Sequence, residues 1–155
     1  MAKKNDGKEL EVKLQDALKR HQAEHKTNFV RFYDATSSGG RGHAQAGDYL
    51  WMIPGQGVLI ECKSSEVGTD LLTLIRSSKT SRAQIARHYI WHIAQHPSVY
   101  FYLDLVTREV QAYCGKSVVL AANSGKKDQL TLISVGGLNT LDRILNEVAD
   151  HIDNK

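Results

Sequence analysis

Cysteine, proline and charge of a single sign are all scarce in this sequence, and each scarcity removes a class of protein. Two cysteines in 155 residues give no disulfide framework, and there is no CxxC pair, so a stapled secreted scaffold is excluded and a reducing cytoplasm is expected. Cys62 and Cys114 each sit in an apolar, strand-like run, where a thiol packs as an inert core residue. The two prolines, Pro54 and Pro97, fall at a turn and just beyond a helix end. No apolar run reaches membrane-spanning length. Residues 2–6 lack the apolar centre of a signal peptide, so no membrane partner is expected. Twenty basic against 17 acidic residues leave a formal charge of +3, too small an excess to argue for nucleic acid by itself. Internal repeats, low-complexity tracts and an ATP-binding glycine motif are absent.

What is there suits a folded, globular protein. A hydrophobic fraction of 41% with 24% charged residues reads as globular, and the length fits one domain over residues 1–155 with a sizeable core. Asp6 is positioned to cap a helix over residues 7–25, with Leu10, Leu14, Ala17, Leu18 and His21 as its buried stripe. A strand over residues 29–33 leads into a polar, glycine-rich loop over residues 36–47, long enough to suggest a functional segment. Residues 48–53 and 58–63 read as a hairpin around a turn at 54–57. A polar connection over 66–81 follows, and Ser81 is the expected cap of a second helix reaching Gln95. Residues 99–106 read as a central strand, with 110–114 pairing to it. Short strands are expected at 117–121 and 130–135, with a turn at 123–128 between them. A last helix capped by Asn139 or Thr140 carries Leu141, Ile144, Leu145, Val148 and Ile152 on one face. The pattern predicts an α/β fold, a mixed central sheet flanked by helices.

The chemistry is concentrated in Asp48 and, after twelve intervening residues, Glu61-Cys62-Lys63. Glu61 and Lys63 are two apart on a strand and share a face, while Cys62 points the other way into the core. The hairpin brings Asp48 close to both. Charged residues are depleted in strands, so two carboxylates and an ammonium converging at one sheet edge need a reason beyond packing. Phosphodiester hydrolysis supplies one. Mg²⁺, for which Mn²⁺ may substitute, takes hard oxygen ligands and needs only one or two carboxylates beside substrate phosphate. Asp48, Glu61 and the backbone carbonyl of Cys62 can provide them, and Lys63 can orient the attacking water or stabilise developing charge. The competing reading is a surface ion-pair cluster on a half-exposed hairpin.

This arrangement resembles the PD-(D/E)xK nuclease superfamily in the form D-x₁₂-E-x-K. The resemblance extends over roughly residues 7–114 to archaeal-type and RecU-like Holliday junction resolvases. Gly7 and Glu11 look like the glycine and glutamate of that family's first helix, which would make Glu11 a third acidic group at the metal. Ser37, Ser38, Gly39, Gly40 and Arg41 look like its mobile loop, with Ser37 or Ser38 matching a serine implicated in catalysis. This loop is longer than in the archaeal enzymes, which leaves the exact substrate shape open. The helix bearing Gln84 looks like the one that places a polar residue at the active site. The resemblance implies a restriction-endonuclease-like core and a homodimeric, Mg²⁺-dependent endonuclease. That enzyme would resolve four-way DNA junctions in recombination and repair, in the cytoplasm of a bacterial or archaeal cell or encoded by a phage. Arg31, Ser37, Ser38, Arg41, Lys79, Arg82 and Gln84 are the expected DNA contacts, although Lys79, Arg82 and Arg87 equally suit a solvated helix face.

Two other functions share these residues: a restriction-like or nicking endonuclease on ordinary duplex, and a non-catalytic DNA-binding protein that keeps the fold. Little room for base-reading elements weighs against the first, and an intact D…ExK set against the second. His88, His92 and His96 recur at i, i+4, i+8, a spacing that suits zinc. No cysteine pair or acidic partner accompanies them, so they read as helix surface or dimer contact. Trp51 and Trp91 read as core or interface residues.

Overall fold

A computed structural model describes residues 8–32 and 48–154. The chain folds as α1 (Glu9–Glu24), β1 (Asn28–Arg31), β2 (Tyr49–Ile53), β3 (Gln56–Ser65), α2 (Leu71–Ser77), α3 (Lys79–Ile93), β4 (Ser98–Asp104), β5 (Glu109–Cys114), α4 (Gly115–Ser124), β6 (Leu132–Gly137) and α5 (Leu141–Asp153). The six strands form one mixed sheet in chain order β1 to β6. Every neighbouring pair is antiparallel except β3 and β4, which run parallel. That parallel step requires a crossover, and α2 and α3 supply it.

Helices cover both faces of this α/β fold. On one face, Leu10, Leu14 and Leu18 of α1 and Ile144, Leu145 and Val148 of α5 pack on Trp51, Ile60, Cys62 and Phe101. On the other, Leu71 and Ile75 of α2, Ile85 of α3 and Val118 and Val119 of α4 pack on Tyr100 and Tyr102. The two-residue alternation of the strands divides the layers: Ile60 and Cys62 enter the first core, and Glu61 and Lys63 point to the second. Trp51 is fully buried, as expected of a core residue. Trp91 is half-buried, and its indole N–H donates to the Pro97 carbonyl at 2.8 Å. Among the described residues no helix is long and apolar enough to cross a membrane.

Several expected elements differ. Residues 117–121 form part of α4 rather than a strand. Val118 and Val119 favour strands locally. Their burial with Ala121 is helical, however, and Gly125 in the left-handed region (φ 77°) ends the helix. The connection over 66–81 contains α2, whose Asp70 cap accepts from the Thr73 amide at 2.8 Å. Ser78, not Ser81, caps α3, accepting from the Ser81 amide at 3.2 Å. The cap position of α1 is Lys8, which makes no side-chain bond there; Asp6 and Gly7 lie outside the described residues.

The histidine series is not a helix surface either. His88 is fully buried, its ring 4.7 Å from that of Tyr100. His96 lies beyond the end of α3, so the three rings do not share one helical face.

Candidate active site

β3 carries the site because β2 pairs with it only from Gln56 to Ile60, while β4 pairs with it from Leu59 to Ser65, so one edge is open beyond Ile60. The β2–β3 ladder ends at Tyr49–Ile60, so Asp48 stands opposite Glu61, one step past the last pair. The Asp48 amide donates to the Ile60 carbonyl at 2.7 Å. Its carboxylate in turn accepts from the Cys62 amide at 2.7 Å. A strand residue directs its N–H and C=O to the same side. The Cys62 carbonyl therefore faces the edge that β2 has vacated, beside Asp48. The Cys62 side chain is buried in the opposite core.

Glu61 is 2% exposed. One of its carboxylate oxygens, Oε2, lies 3.3 Å from Lys63 Nζ. The other, Oε1, is buried with no hydrogen-bond partner among the described residues. A buried carboxylate oxygen left this way is costly. Lys63 Nζ also donates to Gln84 Oε1 at 2.8 Å, so the α3 residue singled out from the sequence does reach the motif lysine. Tyr100 is level with Glu61 on the parallel neighbour and fully buried.

Burial pushes the Asp48 carboxyl up to about 6, with the charge of Glu11 adding to the shift; the Cys62 amide, Lys63 and Arg31 oppose it. Burial also pushes Glu61 well above the usual carboxylate range, helped by Asp48 and opposed by Lys63. These acids are held where their ionised forms lack water, a setting that favours a cationic ligand. Glu11 acts on both electrostatically, but its carboxylate meets Arg31 at 3.4 Å. Among the described residues no group of three or more His, Cys, Asp and Glu side chains is placed to hold a metal. The oxygen set that does converge is two carboxylates and one backbone carbonyl. Its hard donors and the unpartnered Oε1 fit Mg²⁺, which keeps waters in its remaining positions.

The other expected site residues are dispersed. Arg31 turns toward α1, donating to Gln15 at 3.0 Å and to Glu11. Lys79 and Arg82 are exposed on α3, and Arg82 donates to the Arg76 carbonyl at 2.9 Å. Ser37, Ser38 and Arg41 lie outside the described residues. Sequence reasoning missed Gln15 and Tyr100. Gln15 lies four residues after Glu11 and so on the same helical face, while Tyr100 carries no signal within its apolar run. No family model matches the chain, and no curated protein matches it.

Proposed function

We propose that the protein is a Mg²⁺-dependent DNA endonuclease with a PD-(D/E)xK active site on a restriction-endonuclease-like core, and that it resolves four-way junctions as a homodimer. The observation that carries this reading is the gathering of half-buried Asp48 and Lys63 around buried Glu61 of β3, whose Oε1 has no hydrogen-bond partner among the described residues. An ordinary surface ion-pair cluster would keep its carboxylates in water. The element order also agrees with the resemblance: a helix, three antiparallel strands, a helical crossover and a parallel strand, with the motif on the second and third strands.

Asp48, Glu61 and the Cys62 carbonyl would hold the metal. When bound, it lowers the pKa of water and neutralises charge on the phosphate. Lys63 is held by Gln84 and Glu61 where its ammonium can steady the attacking water or the charge developing on the phosphate. Cys62 fixes Asp48 through its amide, so the carboxylate is oriented before ligand arrives. The dimer would supply two symmetric sites for two symmetric cuts.

The test is cleavage of a labelled four-way junction, beside linear duplex and a splayed fork, with Mg²⁺ or EDTA. Paired cuts in the junction alone, lost with EDTA and in Lys63→Ala, are expected. Equal cutting of all three substrates would retain the nuclease and refute the junction specificity. Junction binding without cleavage under any metal would overturn the enzyme altogether.

A further inference from the structure

At the end of the sheet where β3 and β4 begin, where α3, α4 and α5 come together, lies a cleft of about 300 Å³. It shares no lining residue with Asp48, Glu61 and Lys63. Three helices bring basic side chains to it: His92 from the last turn of α3 with His96 just beyond, Lys116 from the first turn of α4, and His151 from the last turn of α5. Among the described residues, not one aspartate or glutamate lines it. Its wall is apolar, formed by Val99, Ile133 and Ile152.

The rim is fixed by the backbone. A Cβ on Gly115 would stand 1.8 Å from Ser98 Oγ, so α4 starts pressed against β4 and presents Lys116 at the cleft. The cap position of α4, Cys114, makes no side-chain hydrogen bond to the helix and itself lines the cleft. The His96 ring lies 4.9 Å from that of Trp91, and the Trp91–Pro97 hydrogen bond steadies the same turn.

From this convergence we infer that the cleft binds a phosphate-bearing small molecule of the mononucleotide class. The Lys116 ammonium and the imidazole N–H groups take the phosphate and the apolar wall takes the base. Basic charge alone would serve duplex DNA equally well, but the volume and concavity separate the two. A cleft at the small end of ligand pockets admits one nucleotide and not a double helix. The inference does not rest on the nuclease reading.

Histidine-ring NMR of the full chain in EDTA tests it, with thymidine 5′-monophosphate, inorganic phosphate and thymidine as probes. The monophosphate is expected to shift the rings of His92, His96 and His151 at concentrations up to about 10 mM. His88, buried against Tyr100 and outside the lining of the cleft, should not move. Thymidine and phosphate should each bind about tenfold more weakly than the monophosphate. The Lys116→Gln protein should lose about tenfold in affinity at unchanged Tm, because Lys116 is exposed. No response of the three rings would overturn the proposal. So would a response equal to that of thymidine or phosphate alone. In EDTA-free buffer, a response to Zn²⁺ but not to the monophosphate would make the cleft a metal site instead.

Discussion

Replacing Asp48 with asparagine should make the metal-free protein more stable, and only above about pH 4. Burial pushes the Asp48 carboxyl up to about 6 in the folded protein, against an ordinary value of 3.8. The folded state therefore holds this proton more tightly than the unfolded chain. Raising the pH through the interval between these values favours unfolding. The shift of about two units corresponds to about 3 kcal/mol once both values are passed. Asparagine removes the charge and keeps an oxygen to accept the Cys62 amide bond. Asp48→Asn should then gain up to about 3 kcal/mol at pH 8 in EDTA, a Tm rise on the order of 5–10 °C for a chain this size. At pH 4 the gain should nearly vanish. Urea unfolding at the two pH values, with and without EDTA, measures it. A destabilised mutant at pH 8, or a gain of equal size at both pH values, would refute the claim that the site is an electrostatically strained acid cluster.

The same burial makes metal and protons competitors. Mg²⁺ affinity, followed by calorimetry, should rise as pH passes through about 6, with proton release on binding. At a hundredfold excess over Kd, Mg²⁺ should stabilise the protein by about 2.7 kcal/mol, and this increment should be missing in Asp48→Asn. Gln84→Ala removes one of two partners of Lys63 Nζ. It should lower kcat by about 10-fold and Tm by about 3–6 °C, as expected on losing a charged hydrogen bond of about 1.5 kcal/mol. Gly115→Ala drives a Cβ into Ser98 and should destabilise by about 1–3 kcal/mol in chemical denaturation.

The motif was legible because its signal is local. Asp48, Glu61 and Lys63 occupy a hairpin whose turn and alternation are plain in the chain, and the opposite orientation of Cys62 follows from strand geometry alone. Gln84 was reached by resemblance, and its bond to Lys63 depends on how α3 crosses the sheet. The helices α2 and α4 were not legible. The first is only seven residues long and capped by Asp70 within a polar stretch. The second has adjacent valines whose strand preference yields to packing against Tyr100 and Tyr102. His88 was misread because burial of a histidine depends on the residue it stacks upon, here Tyr100, and helical spacing carries no information about that neighbour. The cleft at the far end of the sheet was invisible because its basic groups are scattered between residues 92 and 151.

The order of the sheet also bears on how the protein is made. Because strands are laid down in the sequence in which they pair, each leaves the ribosome with its partner already present. Asp48, Glu61, Lys63 and Gln84 all lie in the first 84 residues and emerge early. The wall behind them does not: α1 rests against α5, and Arg20 meets Asp142 at 3.1 Å. The first helix must wait for the last before its apolar face is covered. A chain released short of α5 would thus carry every residue of the proposed catalytic motif on a sheet whose opposite face is half bare.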